Sequence, residues 1–599
     1  MDQEKLRNIV IIAHVDHGKT TLVDQLFRQS GLFRDNQKVE ERVMDSMDLE
    51  KERGITIRSK TGACFYKDHR INIIDTPGHA DFGGEVERVM NMADGALFLV
   101  DAVEGPMPQS YFVLKKAVAH ELPLIVVVNK IDRDAARPDW VVDQVFDLLV
   151  SLDAPDKCLD FTVVYASAKE GYSSMNSEDR DGSMTPLLDQ VLSHMPSPSG
   201  DPSGPLQLQV ASISYSSFMG KLAIGKITSG SLKVNQEVAI TLGDRLSQKL
   251  RITKLYQFKS NQQEEINAAS VGDIVAVAGI SDIGIGETIT DPDNPVGLPA
   301  IAIDPPTISM MFLPNDSPFA GTEGEFVTSR HLKDRLERAQ LSDMALQVDV
   351  SSGQKGYEVS GRGELHLSIL IESMRREGYE FQVSRPTVIF KEENGKRQEP
   401  YEELTIDVEE SVMGVVIEQL GIRKGQMEDM IQESGMVRLV YKIPTRGLLG
   451  YQSEFLMSTS GKGMMSHVFH KYGDYLGEIK TRKNGVMISK DTCETVAFAL
   501  ANLQNRGTLF MGPGIRVYEG QIIGQYSRED DLVVNPAKSK KLTNMRASGS
   551  DDSVILVPHL KFTLEQYMSF IDDSELVEVT PKSIRVRKKI LTESGRKKG

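Results

Sequence analysis

Residues 7–20 read Arg7-Asn8-Ile9-Val10-Ile11-Ile12-Ala13-His14-Val15-Asp16-His17-Gly18-Lys19-Thr20. An apolar, β-branched run ends in a Gly-Lys-Thr turn, after which Leu22 and Leu26 fall on one face of a helix. A loop between a strand and a helix N-terminus presents backbone N–H groups and the positive end of the helix dipole to phosphate oxygens. In such a loop Lys19 reaches the β- and γ-phosphates and the Thr20 hydroxyl ligates Mg²⁺. Asp16, His17, Gly18, Lys19, Thr20 and Thr21 are therefore candidate nucleotide-binding residues. The phosphate-loop pattern asks for Gly at its first position, where this chain has Ala13. On this stretch alone the phosphate loop is the better reading, and an ordinary strand, turn and helix with an incidental Gly-Lys is the alternative.

The ordered company of this loop separates the two readings. The strand Arg70–Asp75 runs into Thr76-Pro77-Gly78-His79. A carboxylate at that strand end, Asp75, holds Mg²⁺ through water, and the Gly78 N–H meets the γ-phosphate. A further apolar strand delivers Asn129-Lys130-Ile131-Asp132. The Asp132 carboxylate suits the two donors on the edge of guanine, whereas adenine would leave it unpaired, so the base is read as guanine. The strand Phe161–Ala166 leads to Ser167-Ala168-Lys169, a place for a backbone N–H to bind the guanine carbonyl. Four elements in this order, each at a strand end, point to GTP.

Around this site the 599-residue chain is too long for one core, so several domains are expected. Residues 1–197 alternate buried-strand runs with amphipathic stretches and are read as a phosphate-loop GTPase domain on a parallel sheet. The segment Met195–Pro205 is rich in Pro, Ser and Gly and reads as a linker. Alternating, turn-punctuated text over 205–303 reads as an antiparallel β-barrel. Two ferredoxin-like α+β domains are expected at 306–390 and 398–480, where Leu367, Leu370, Ile371 and Met374, then Met413, Val416, Ile417 and Leu420, recur at helical spacing. Residues 485–599 form a mixed C-terminal domain with a basic loop and tail. The fold class is thus multidomain α/β plus β-barrel.

The formal charge, 69 − 85 = −16, argues against a protein that coats nucleic acid. No stretch reaches the roughly 18 uninterrupted apolar residues of a membrane helix, and the charged N-terminus implies no export signal. Cys64, Cys158 and Cys493 lie far apart, which suggests neither a disulfide framework nor a zinc site and fits the reduced cytoplasm.

The motifs AHVDHGKT, RGITI, DTPGH, NKID and SAK resemble those of GTPases of the translation-factor class. By that resemblance Thr56 ligates Mg²⁺ while the γ-phosphate is present, and His79 orients the attacking water, with Lys19 and Gly78 the other catalytic candidates. Val15 and Ile55 would flank His79, and Asp16 would bind a monovalent cation. The class tolerates Ala at position 13. Residues 220–238 are similar to its second-domain barrel, although Asn235 stands where Gly is usual. Residues 360–381 resemble the third domain of elongation factor G and the 398–480 segment its fifth; the fourth is missing, so the resemblance excludes a translocase. RKGQMEDM, KIPTRGLLGYQSEFLMSTSGKGMMSHVF, AFALANLQNRGTLFMGPG, VYEGQIIGQ and KKLTNMRASGSD resemble the BipA (TypA) family, whose own C-terminal domain the last three would form.

This resemblance implies ribosome-stimulated GTP hydrolysis with Mg²⁺, GTP-dependent binding to the 70S ribosome and large subunit with rRNA and tRNA contacts, and a monomer. It also implies a role in large-subunit assembly and in translation under cold or other stress. A LepA-like factor and a GTP-regulated switch acting on a protein partner are the alternatives. Residues 535–548 hold Lys538, Lys540, Lys541 and Arg546 without an acid, +4, and are the RNA-binding candidates. Residues 582–599 carry 8 − 1 = +7 and read either as a solvated chain end or as an RNA contact. Arg423, Lys424 and Arg446 are weaker candidates for the same surface. His467 and His470, three apart and with no third ligand in view, read as solvated or packing residues rather than metal ligands.

Overall fold

The computed structural model describes residues 3–30, 48–54, 56–216, 220–242, 245–246, 249–260, 262–280, 283–301, 305–343, 345–349, 356–433, 435–479, 482–538 and 556–597. They divide into two compact units, residues 1–304 with 341–344, and residues 305–340 with 345–599.

In the first unit, β1 (Leu6–Ala13), β2 (Lys60–Tyr66), β3 (His69–Asp75), β4 (Gly95–Asp101), β5 (Leu124–Asn129), β6 (Thr162–Ser167) and β7 (Tyr172–Ser174) form one sheet. Its order is β2-β3-β1-β4-β5-β6-β7. The strands from β3 to β6 run parallel, and β2 and β7 pair antiparallel at the edges. Every residue of β4 and β5 is buried, as parallel strands covered on both faces require. Helix α1 (Lys19–Gln29) seals one face with Leu22, Val23, Leu26 and Phe27. Because β1 has β3 on one side and β4 on the other, the order reverses beside it, and the crevice at the carboxyl ends of these strands is where such sheets bind ligands.

Residues 207–290 of the same unit form the expected antiparallel strands around a core of Leu208, Val210, Ile227, Val275 and Ile289, each fully buried. Asn235 takes the left-handed conformation that glycine would supply, at φ 66°. The barrel is joined to the parallel sheet by polar pairs: Ser260 and Ala63 exchange backbone hydrogen bonds of 2.7 and 3.1 Å, Lys226 meets Asp94 at 2.5 Å, and the Asn8 amide donates to the Gly272 carbonyl over 2.9 Å. These buried groups hold one geometry because each has a partner.

In the second unit, strands from residues 308–388 and 486–588 share one eleven-stranded sheet. The splice is the antiparallel pairing of Phe381–Val383 with Glu575–Val579. The helix predicted from Leu367, Leu370, Ile371 and Met374 spans Glu364–Arg376 and buries all four against that sheet. A separate sheet of Lys391–Glu393, Lys396–Glu409, Gln426–Glu433, Met436–Pro444 and Met464–Asp474 carries the helix Glu410–Ile422, whose Val416 and Leu420 are buried in its core.

Part of the positive run at the C-terminus is built into the fold. Ile584–Lys588 is a strand of the large sheet. There Arg585 pairs with Glu323 and Glu578, Arg587 with Asp316, and Lys588 with Glu575 and Asp531. Three of the eight positive charges of residues 582–599 are thus paired inside the unit, whereas Lys582 and Lys589 are exposed and remain candidates for a solvated face or an RNA contact. Arg423 and Arg446 are likewise occupied. Arg423 donates to the Gly447 carbonyl over 2.7 Å and pairs with Glu454 at 2.7 Å, and Arg446 pairs with the buried Glu399. His467 pairs with Glu402, and among the described residues no group of three or more His, Cys, Asp or Glu could hold a metal. Lys538 is exposed, whereas Lys540, Lys541 and Arg546 lie outside the described residues.

Candidate functional site

The loop between β1 and α1 takes two left-handed residues, Asp16 at φ 65° and Gly18 at φ 94°. Aspartate is among the few side chains that tolerate this region. Ala13 is the last residue of β1, buried, with an ordinary strand backbone. No glycine is needed there, which removes the objection that the sequence raised.

Gly18 must be glycine for a second reason. A Cβ on it would lie 2.5 Å from the Asn129 amide nitrogen. That amide donates to the His17 carbonyl over 2.8 Å, and its oxygen accepts from the Ala168 N–H over 2.9 Å. The single side chain at the end of β5 therefore clasps the phosphate loop and the Ser167–Lys169 turn together. Asn129 and Ser167 are buried, whereas Lys169 and Asp132 are exposed at the mouth.

At the other end of the crevice, Lys19 reaches the end of β3, with its ammonium 2.8 Å from an Asp75 carboxylate oxygen and donating to the Thr76 carbonyl. The Thr56 hydroxyl lies 3.5 Å from the second Asp75 oxygen. A cavity of about 150 Å³ opens between the loop from Ala13 to Thr21 and Gly54, Thr56 and Gly78. Gly78 sits so close to the phosphate loop that a Cβ would stand 3.1 Å from the Ala13 carbonyl oxygen. The His79 ring accepts from the Asp81 N–H over 3.2 Å and lies edge-on to Phe82. His14 is held neutral: burial first, and then His17, push its pKa down to about 3.

Thr20, Thr56 and Asp75 offer only oxygens, the donor chemistry of a hard cation; Thr20 and Thr56 line one cavity, and Asp75 stands behind Thr56. The residues present therefore fit Mg²⁺.

Sequence reading missed several residues here. Asp101, at the end of β4, is fully buried and pairs with Lys130 at 2.6 Å. Burial would raise its pKa, but Lys130 and the Val103 N–H hold it below the usual carboxylate value. Buried Glu50 accepts from the N–H groups of Ile57 and Arg58 over 3.0 and 3.3 Å, and Glu85 accepts from the Ser59 hydroxyl over 2.6 Å. An acid closing an all-apolar strand was a visible signal for Asp101; Glu50 and Glu85 stand in polar text and gave none.

A phosphate loop, a strand-end Asp with Thr56 beside it, and the Asn129 clasp at the base-reading end define a guanine-nucleotide-binding protein of the translation-factor class. Residues 4–197 match the elongation factor Tu GTP binding domain and residues 220–290 elongation factor Tu domain 2. Residues 396–483 match the elongation factor G C-terminus, and residues 484–593 the TypA/BipA C-terminal domain. The chain belongs to the BipA family of GTPases. It is 54% identical over 597 residues, 99% of this chain and 98% of the relative, to the large ribosomal subunit assembly factor BipA of Salmonella typhimurium. The proteins of that name in Escherichia coli and Haemophilus influenzae are 54% and 53% identical, over 99% and 100% of this chain and 98% of each relative. A crystal structure from Thermus thermophilus shares the fold at TM-score 0.56 and 17% identity, covering 79% of this chain and 98% of that one. Among the described residues no helix is long and apolar enough to cross a membrane.

Proposed function

We propose that this protein is a Mg²⁺-dependent, cytoplasmic GTPase that binds the ribosome and its large subunit in the GTP state and acts in large-subunit assembly. The hydrolytic part rests on the convergence of Lys19, Thr20, Thr56 and Gly78 on one cavity. The ribosomal part rests on relatives that carry the name of assembly factor and align over nearly the whole chain. The same reading includes translation under cold or other stress, with rRNA and tRNA contacts by a monomer, and Lys538 is the described member of the basic loop that would touch RNA.

In this reading Asp132 accepts from the guanine edge, while Asn129, Lys130 and Ile131 carry it on a turn fixed to the phosphate loop. Lys19 and the N–H groups from Asp16 to Thr21 hold the phosphates. Bound Mg²⁺, ligated by Thr20 and Thr56 with Asp75 behind it, would neutralise charge on the phosphate oxygens. Gly78 donates its N–H to the γ-phosphate, and the His79 ring orients the attacking water. Asp16, exposed and left-handed, presents its carboxylate for a monovalent cation. Release of Thr56 on hydrolysis would free its segment and lower ribosome affinity.

The test is co-sedimentation with 70S ribosomes and isolated large subunits, comparing GDP with a non-hydrolysable GTP analogue. Pelleting that depends on the analogue is expected; pelleting indifferent to nucleotide, or none, defeats the switch. A LepA-like reading is disfavoured by the match of residues 484–593 to the TypA/BipA C-terminal domain.

A further inference from the structure

We infer that Glu85 is a positioning residue for hydrolysis, coupling the segment after Thr56 to the helix that follows His79. The inference rests on the roles proposed above for Thr56 and His79.

Residues 57–60 contain no helix and only the first residue of β2, yet two carboxylates hold them. Glu50, fully buried in helix α2 (Asp48–Arg53), accepts from the N–H groups of Ile57 and Arg58 and pairs with Lys60. In addition, Glu85 of helix α3 (Gly83–Met90) accepts from the Ser59 hydroxyl over 2.6 Å with one oxygen and binds Arg88 with the other. Arg88 is 1% exposed, and among the described residues its Nε and one terminal nitrogen have no hydrogen-bond partner. A buried guanidinium so poorly satisfied depends on the Glu85 carboxylate, and that carboxylate is not free to follow Ser59 away.

Helix α3 begins directly after the turn Ala80–Phe82, which His79 opens. The order of the chain is thus Thr56, Ser59, then Glu85, with His79 just before the turn that leads into the helix of Glu85. Glu85 converts the position of the Thr56 segment into the position of the His79 segment. A rigid anchor on one side and a release point at the Ser59 hydroxyl on the other is the arrangement a two-state segment needs.

The test is single-turnover and steady-state GTP hydrolysis by the full chain, alone and with 70S ribosomes, for Ser59→Ala, Glu85→Gln and His79→Ala. Nucleotide affinity and trypsin cleavage after Arg58 are followed in parallel. Ser59→Ala removes one hydrogen bond and leaves the Arg88 pair intact, so a folded protein is expected with kcat down about 3- to 10-fold, GTP affinity unchanged, and faster cleavage after Arg58 in the GTP-analogue state only. Glu85→Gln should lower kcat in the same sense. In the double variant the two losses should not multiply, because both remove the same link. Wild-type kcat in Ser59→Ala, equal losses in kcat and affinity, or cleavage changes that ignore the nucleotide would overturn the inference. Were His79→Ala at wild-type turnover, the mechanistic reading would fail first; a slow His79→Ala beside a normal Ser59→Ala defeats the coupling alone.

Discussion

The Asn129 amide donates to the His17 carbonyl over 2.8 Å, so the residue that opens the turn proposed to read the base is also a strut of the phosphate loop. The base end and the phosphate end of the site are thereby set by one side chain. Asn129→Ala would leave the His17 carbonyl and the Ala168 N–H without their partner, at about 1–3 kcal/mol for each buried group. We expect guanine nucleotide to dissociate at least about tenfold faster, with a lower melting temperature for the nucleotide domain. Stopped-flow release of a fluorescent GDP and a thermal melt measure both, and release at the parent rate would show that the clasp is dispensable.

Asp132 stands exposed at the mouth of the same site, free to meet a base edge. Asp132→Asn exchanges an acceptor for a donor at one position, so it should weaken GTP and admit xanthine nucleotides, whose altered edge offers the matching acceptor. Competition between GTP and xanthosine triphosphate reads the change. Unaltered selectivity would remove Asp132 from the reading of the base.

Gly78 approaches the phosphate loop so closely that a methyl group would stand 3.1 Å from the Ala13 carbonyl and 3.7 Å from a Val15 methyl. Gly78→Ala must therefore shift backbone at about 1–3 kcal/mol, the usual range for overpacking. The shift moves the N–H proposed to face the γ-phosphate but leaves the base-reading end alone. GDP affinity should persist while hydrolysis falls about tenfold or more; equal loss of both would place the damage in the phosphate loop itself.

The proposed nucleotide site could be read from the sequence because its chemistry is local: a strand, a tight turn and a helix N-terminus stand within Ile9–Leu26, and each later motif is again a strand end. What one stretch could not show was where the chain needs glycine. The left-handed positions are Asp16 and Gly18 rather than Ala13, so the apparent defect in the motif was none. Partners distant in sequence were hidden for the same reason. Arg585 and Arg587 read as part of a basic tail because Glu323 and Asp316, more than 250 residues away, carry no local sign that they face them. The shared sheet of the second unit was equally hidden, since the pairing of Phe381–Val383 with Glu575–Val579 is set by packing rather than by pattern.

That hidden pairing predicts how the second unit responds to acid. Burial would raise the Glu323 pKa, but the Thr580 hydroxyl and the Arg585 guanidinium outweigh it and hold the carboxylate below its ordinary value. Asp572 is lowered in the same way, with Ser574 and Arg482 overcoming its burial. A carboxylate depressed in the folded state adds stability above its unfolded pKa, about 4 for these groups, and loses it as pH falls through the lower folded value. Amide protection of the strands Glu575–Val579 and Ile584–Lys588 should therefore hold to about pH 5 and fall progressively below the ordinary carboxylate range. Glu323→Gln should be less stable at neutral pH and lose less on acidification, because its part of the titration is gone. Hydrogen exchange from about pH 7 down to about pH 3 tests this, and parallel acid profiles for parent and variant would show that Glu323 contributes nothing through its charge.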